Sequence, residues 1–180
     1  MSTRQSNGFS LIEVLIALVI IAIGLLGIAG MQALALSNTG QARLRSLAAI
    51  EAASMAAAIR GNKAYWGAGV APANLTVQGV AGASATYADT TLAGGLASTS
   101  TDCSSNTCSA SVMAAYDAQN WGRDLAVLLP SGRGTITCST TVGVPVTCSV
   151  TVSWTEKQLQ TQGGTATSTP TQTYSLMVQP

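Results

Sequence analysis

The pattern of apolar and polar positions divides the chain into an apolar N-terminal stretch and a more polar remainder. Residues 14–42 contain no charged side chain, and Val14 to Met31 is almost wholly apolar. A helix rises about 1.5 Å per residue, so a run of this length crosses a hydrocarbon core about 30 Å thick. The pattern therefore predicts a membrane-spanning helix near the N-terminus.

The helical period continues beyond this stretch. Between residues 43 and 60 the apolar side chains form one stripe at three- and four-residue spacing, with Glu51 at its edge. Gly61-Asn62 then supplies a stop signal. We expect one helix from Phe9 to the end of this stripe, about 52 residues or roughly 78 Å long, whose second half packs on a soluble domain while the first half protrudes. The apolar positions of the stripe are Leu44, Leu47, Ala48, Ala52, Met55 and Ile59.

Strict alternation marks strands near the C-terminus. From Val146 to Thr155, apolar residues or cysteine alternate with Ser or Thr, which is typical of an antiparallel strand with one buried face. Residues 134–139 alternate in the same way, and residues 140–145, with Gly143, join the two runs as a turn. The fold class predicted is therefore α+β, a long N-terminal helix on a small antiparallel sheet. In the run at residues 134–139, the predicted inward-facing residues are Ile136 and Cys138. A final strand of the same pattern has Tyr174, Leu176 and Val178 facing inward.

The middle of the chain has weaker patterns. Tyr65 to Ser111 is predicted to be loop-rich with one or two short strands, such as residues 74–80. Val112 to Leu129 is predicted to be a helix that the Pro130-Ser131-Gly132 turn ends, with Gly122 as a candidate interruption within it. Gln160 to Thr173 is predicted to be a polar, uncharged loop. The predicted buried face of the helix is Tyr116, Trp121, Leu125 and Leu128.

The four cysteines are Cys103, Cys108, Cys138 and Cys148. An even number after a long apolar segment indicates disulfides in an exported domain, and four cysteines allow three connectivities. The predicted hairpin places Cys138 opposite Cys148, which favours that pair and leaves Cys103–Cys108 to close a small loop. The alternative is a metal site with four thiolates. Its C-x4-C and C-x9-C spacings lack the paired C-x2-C of zinc ribbons, so disulfides are preferred.

Composition excludes several classes of function. The chain has 180 residues, 8% of them charged, a formal net charge of +1 and no histidine. Without a basic stripe, nucleic acid is not expected as a partner. Without histidine, the commonest general base and metal ligand is missing, so we expect no enzyme, no metal and no cofactor. Asp117 and Asp124 could share a helix face, but a solvated or capping role is preferred for both.

Three interpretations of the N-terminal segment compete. One is a cleaved secretory signal, with Arg4 as the basic region and Ala33-Leu34-Ala35 as the cleavage site. Its hydrophobic region is too long for that class, and Glu13 stands near its start. The second is a plain membrane anchor, which leaves Glu13 unexplained, because an isolated carboxylate in a membrane segment costs about 3 kcal/mol.

The third interpretation accounts for the glutamate. The sequence Gly8-Phe9-Ser10-Leu11-Ile12-Glu13-Val14-Leu15 resembles the class III signal of type IV prepilins and related pseudopilins. The resemblance implies that a prepilin peptidase cuts after Gly8 and methylates the new N-terminus at Phe9. It also implies that Glu13 serves subunit assembly by pairing with a neighbouring subunit's N-terminal amine. Pairing offsets the cost of burying each charge alone.

The resemblance also implies an organisation and a set of partners. Residues 1–8 are the leader, 9–36 the transmembrane and filament-core half of the helix, 37–62 its amphipathic half, and 63–180 a β-rich periplasmic or extracellular domain. The subunit is expected in the inner membrane before assembly and then in the pilus. The implied partners are prepilin peptidase, other minor pilins, the major pilin, the inner-membrane assembly platform and a tip adhesin.

Further stretches are similar to one family of minor type IV pilins, and no proline precedes Pro72, unlike in many major pilins. The similarity implies a structural role in pilus assembly or priming, near the tip. Two alternatives stay open, a minor pseudopilin of a type II secretion system and a secreted binding domain. The similar stretches are Gly24 to Ala33, Arg45-Ser46, Ile59 to Asn62, Trp121 with Leu128 to Gly134, and Val150 to Trp154.

Overall fold

The computed structural model describes residues 10–79, 90–93, 96–97, 99–139, 141, 144–156 and 170–180. The chain forms two compact units, Met1–Gly40 and Gln41–Pro180. Half of the predicted turn, residues 140, 142 and 143, lies outside the described residues, as does most of the predicted loop from residue 160.

Helix α1 extends over Leu11–Gly61. Strong helix formers fill it, and it ends at the predicted Gly61-Asn62 signal, after which α2, Lys63–Trp66, adds one further turn. Within the first unit, every large apolar side chain from Leu11 to Leu36 is 45–78% exposed. Among the described residues, α1 is the one helix whose length and composition would allow it to cross a membrane.

The second unit is built on an antiparallel sheet. The described strands are β1 (Asn74–Gly79), β2 (Thr90–Ala93), β3 (Arg133–Cys138), β4 (Cys148–Thr155) and β5 (Thr171–Val178). They lie in the order β2-β1-β3-β4-β5. The predicted alternation of β4 is confirmed, because its residues alternate between buried and half-buried from Cys148 to Thr155.

The core of the second unit lies between the sheet and two helices. The predicted stripe of α1 contributes Ala48, Ala52, Met55 and Ile59, together with Ala56. Leu44 and Leu47 pack at the margin of the same core. On the inner face of the sheet, Leu75, Val77, Ile136, Val150 and Val152 are fully buried in the same core. The predicted α+β fold, a long N-terminal helix on a small antiparallel sheet, is confirmed.

Helix α3, Ala110–Leu128, completes the core. Ser109 caps it by accepting a hydrogen bond from the Val112 backbone N–H. Gly122, the candidate interruption, lies within a continuous helix. It is buried where β1 crosses α3, and a Cβ on Gly79 would overlap its carbonyl oxygen. The helix ends before the predicted Pro130-Ser131-Gly132 turn, in which Ser131 has a positive φ of 55°.

Several predicted details are wrong. Leu128 is 38% exposed while Leu129 is buried, because the chain leaves the helix at that point and turns Leu129 inward. Tyr116 is only half-buried. Tyr174 is 37% exposed because β5 is an edge strand with no described neighbour on one side. Two boundaries also differ. β4 begins at Cys148 rather than Val146, and β5 begins at Thr171, inside the predicted loop.

All four cysteines are paired, as Cys103–Cys108 and Cys138–Cys148. Cys138 and Cys148 are register partners on β3 and β4, so this bond joins two facing strands. Paired thiols are not available as the four thiolate ligands of a metal ion.

Candidate functional site

The first turn of α1 contains the acidic residue of the apolar segment. The backbone N–H groups of Glu13 and Val14 donate to the Ser10 carbonyl oxygen at 3.1 and 3.3 Å. A carboxylate in the first helical turn is favourable because the free N–H groups there carry partial positive charge. Glu13 is exposed in this unit. Gly8 and Phe9, the predicted cleavage and methylation residues, lie outside the described residues.

The apolar side chains that follow Glu13 surround the helix on all sides. Leu11, just before Glu13, is 78% exposed, and Leu26 and Leu36, after it, are 74% and 75% exposed. Burying a side chain of this kind stabilises by about 1.5–3 kcal/mol, so the segment favours a lipid or protein environment over water. Its length and composition would suit contact with hydrocarbon or with other apolar helices.

Three glycines interrupt this apolar surface at every third position. A Cβ added at Gly24, Gly27 or Gly30 would meet no atom within 4 Å. Packing within the described chain therefore does not require glycine at these positions. Small residues on a membrane helix allow the backbone of another helix to approach closely.

The second unit contains a groove between the C-terminal end of α1 and α3. A cavity of about 530 Å³ is lined by Ala58 and Gly61 of α1, by Met113 and Asp117 of α3, and by the disulfide-bonded Cys108. A smaller cavity of about 140 Å³ shares Ala58 and Asp117 with it. Small side chains on α1 leave this space open.

The charged side chains that line the two cavities are the carboxylates of Asp117 and Asp124, and Glu51 of α1 lies outside both linings. Burial raises the pKa of Asp117. Burial, followed by the charge of Asp124, raises the pKa of Glu51. The described residues contain no group of three or more His, Cys, Asp or Glu placed to hold a metal ion. Asp117 and Asp124, whose seven-residue spacing allows them to share a helix face, both line the smaller cavity, although the sequence favoured a solvated or capping role for them.

Sequence reasoning missed a buried carboxylate. Glu156 is 2% exposed, accepts a hydrogen bond from Trp154 Nε1 at 3.0 Å, and lies 3.9 Å from Arg45 Nε on α1. The alternation of β4 could have revealed Glu156. Every second residue of the strand faces inward, and Glu156 stands two residues after the inward-facing Trp154.

The burial of Gln119 of α3 was also missed. This residue is fully buried, and its Oε1 accepts a hydrogen bond from the Thr99 backbone N–H at 2.8 Å.

Comparison with known families concerns the N-terminal segment. Residues 3–29 match the prokaryotic N-terminal methylation motif. This prepilin-type motif supports the class of type IV pilins and pseudopilins, and it favours that interpretation over a cleaved secretory signal. No significant match to the chain was found among curated proteins or among solved structures.

The motif has consequences for the whole N-terminal unit. It implies processing by prepilin peptidase and assembly with other pilins. It indicates a structural subunit rather than an enzyme. Together with the apolar helix, it fits a membrane-anchored pilin that is later assembled into a pilus.

Proposed function

We propose that the protein is a minor type IV pilin that takes part in pilus assembly or priming, at or near the pilus tip. The observation that carries this proposal is the methylation motif at residues 3–29, with Glu13 in the first turn of an apolar helix. The stretches similar to minor pilins point more narrowly to the type IV pilus modification protein PilV. They include Gly24 to Ala33 in the apolar half of α1 and Val150 to Trp154 on β4.

The mechanism uses the same apolar segment twice. Residues from Phe9 to about Met31 hold the subunit in the inner membrane, with the soluble domain in the periplasm. When the subunit leaves the membrane, this segment enters the apolar core of the filament, so its side chains do not have to pass into water.

Glu13 supplies the polar contact of assembly. A carboxylate and an ammonium are each costly to bury alone, and pairing with a neighbour's methylated N-terminal amine offsets both costs. The pair also fixes the axial position of one subunit relative to the next. Cleavage after Gly8 is therefore required, because it creates the amine that Glu13 binds.

The contacts of the assembled subunit follow from this role. Other minor pilins and the major pilin contact the apolar helix, and the inner-membrane assembly platform extracts the subunit from the membrane. A tip adhesin contacts the soluble domain. This role requires neither a cofactor nor a catalytic residue.

The mass of the processed protein tests the proposal. We would produce the chain together with a prepilin peptidase and measure its intact mass before and after reduction. We expect loss of residues 1–8 and gain of one methyl group, about 14 Da. A matched sample without the peptidase keeps the leader. Cleavage near Ala35 would make the protein a secreted domain and would refute the role given to Glu13.

A minor pseudopilin of a type II secretion system is the second candidate, because the motif is common to both classes. Deletion of the gene separates the two. Loss of surface pili with normal protein export supports the minor pilin. Loss of export with normal piliation supports the pseudopilin.

A further inference from the structure

The two edges of the sheet in the second unit are unlike each other. β2, at one edge, is only four residues long. β5, at the other, is eight residues long and pairs with β4 without a break from Cys148↔Val178 to Thr155↔Thr171. Its other side has no partner strand among the described residues. Half of its backbone N–H and C=O groups therefore point away from the sheet.

β5 lacks the features by which proteins usually block an edge. Such edges are short, charged, bulged or interrupted by proline. The eight consecutive one-to-one pairs exclude a bulge. No charged residue occurs from Thr171 to Pro180, and the prolines at positions 170 and 180 lie outside the strand rather than in it. The edge can therefore accept another strand.

The side chains of β5 indicate what that strand contains. Met177 is 70% exposed and Tyr174 is 37% exposed, on opposite faces of the sheet. An added strand would cover both. Ser175 is already hydrogen-bonded to Thr151 of β4, at 2.9 Å between the hydroxyl oxygens. The partner strand therefore needs uncharged residues, with apolar side chains near Met177.

The polarity of β5 changes along its length. Its first three residues, Thr171 to Thr173, are polar, and its last three, Leu176 to Val178, are apolar. Two copies paired antiparallel along the full strand would place the apolar end of one against the polar end of the other. Self-pairing is therefore poorly matched. A strand of a different polypeptide, apolar first and polar last, matches β5 in the antiparallel arrangement.

We propose that the free edge of β5 binds an uncharged, extended segment of a partner protein, which adds an antiparallel strand to the sheet. The edge is held in place before binding, because β4 pairs with β5 on one side and is joined to β3 by Cys138–Cys148 on the other. An ordered edge lowers the entropic cost of adding a strand. This inference does not depend on the assignment of the protein to pili or to secretion.

Amide hydrogen exchange on the full-length protein in detergent micelles tests the proposal. The probe is a short peptide, acetyl-Thr-Val-Ile-Val-Ser-Thr-Thr-amide, and its control is the peptide of reversed order. We expect the outward amides of β5 to exchange rapidly in the free protein. The probe should slow them by about tenfold or more, and the control should not.

Two variants test whether the probe protects these amides by binding at the edge of β5. Met177→Lys and Thr173→Lys each place a charge on exposed positions of β5, and both should abolish protection by the probe. Val127→Lys is the matched control, because Val127 is 79% exposed on α3. All three should unfold at similar temperatures. Thr173→Lys preserves the test if Met177→Lys does not fold.

Four outcomes would overturn the proposal. The first is outward amides that are already protected in the monomeric free protein, which would mean that the edge is covered by its own chain. The second is equal protection by the two peptides, and the third is undiminished protection in both β5 variants. The fourth is a dimer in sedimentation analysis that the β5 variants dissociate, which would make a second copy the occupant.

Discussion

Glu13 is the residue on which the proposed assembly mechanism rests. It is the one charged residue from Ser10 to Ala42, and it lies in the first turn of α1. We expect Glu13→Ala to leave processing intact but to reduce incorporation into pili, because the neighbour's amine would be buried without a partner. Western blots of sheared pili and of whole cells measure incorporation and processing separately.

Two further variants test whether loss of the Glu13 charge causes the defect in incorporation. Ser10→Ala changes an adjacent side chain without removing a charge and should be incorporated normally. Glu13→Gln keeps the shape and removes the charge, and it should behave like Glu13→Ala. Normal incorporation of both Glu13 variants would refute the pairing role.

Glu156 and Arg45 contribute unequally to the stability of the second unit. Glu156 is buried, whereas 61% of the Arg45 side chain is exposed. Removing Glu156 leaves the Trp154 indole N–H without its acceptor, so we expect Glu156→Ala to lower the free energy of unfolding by about 2–4 kcal/mol. Arg45→Ala should cost less than about 1 kcal/mol because Arg45 is solvated. Urea unfolding of the two variants measures both values. Equal losses would contradict this asymmetry.

Asp117 and Glu51 make stability depend on pH. Their pKa values in the folded protein are raised above the ordinary 3.8 and 4.5, mainly by burial. The folded state therefore binds protons more tightly than the unfolded state. The free energy of unfolding should rise as pH falls from neutral through the raised values, and this gain should be complete below the ordinary values.

Asp117→Asn removes part of this dependence. We expect this variant to have a higher Tm at pH 7 than the unmodified protein, and its Tm to rise less on acidification.

Asp102 provides a control of opposite sign, because hydrogen bonds from the Ser104 side chain and backbone N–H lower its pKa. Its contribution is present at neutral pH and is lost as pH falls through its lowered folded value, so Asp102→Asn should lower the Tm at pH 7. Thermal melts by circular dichroism at several pH values check both. A Tm of Asp117→Asn below that of the unmodified protein at pH 7 would contradict the burial argument.

At the scale of elements, Trp121 is one of the side chains that hold α3 against its neighbours. Trp121 Nε1 donates to the Glu51 backbone oxygen of α1 at 3.0 Å, and its ring lies over Gly134 of β3. A Cβ on Gly134 would overlap that ring. We expect Gly134→Ala to lower the free energy of unfolding by about 1–3 kcal/mol, because strand and helix must separate.

Gly61→Ala is the matched control for this close approach. A Cβ at Gly61 would meet no atom within 4 Å, so we expect a change within about 0.5 kcal/mol. Denaturant unfolding of the two variants gives the comparison. Equal stability of the two would show that Trp121 can move without cost.

Elements with a strong period could be predicted from the sequence, and their irregular ends could not. The stripe of α1 and the alternation of β4 each follow from one face packing on one core. Leu128 was placed wrongly because the helix period no longer applies where the chain leaves α3. Tyr174 alternates correctly but is exposed, since alternation identifies the face of a strand and not its position in the sheet.

The candidate site was predictable to different degrees. Glu13 stands out in the sequence because a charge interrupts an apolar run. The groove that contains Asp117 does not, because it arises where the small residues Ala58 and Gly61 of α1 meet a helix distant in sequence. Likewise, β5 becomes an edge of the sheet formed by the described residues only through the order of those strands, which local patterns do not specify.

At the scale of the whole molecule, the buried core belongs to one of the two units. Every buried apolar residue among those described lies between Ala48 and Val178, within Gln41–Pro180. We expect residues 41–180 to be soluble without detergent and to unfold cooperatively. Their Tm should be close to that of the full chain in detergent, because removal of residues 1–40 takes no side chain from this core.

A shorter fragment tests whether the second half of α1 is part of that core. Residues 62–180 lack Ala48, Ala52, Met55, Ala56 and Ile59, which are at most 1% exposed. Loss of two large side chains and three close-packed alanines exposes the inner face of the sheet, at about 1.5–3 kcal/mol for each large side chain. Because a domain is stable by only about 5–15 kcal/mol, this fragment should not fold. Circular dichroism and calorimetry of both fragments decide the matter. Cooperative unfolding of residues 62–180 would show that α1 is dispensable, and aggregation of residues 41–180 would show that the core needs the first unit.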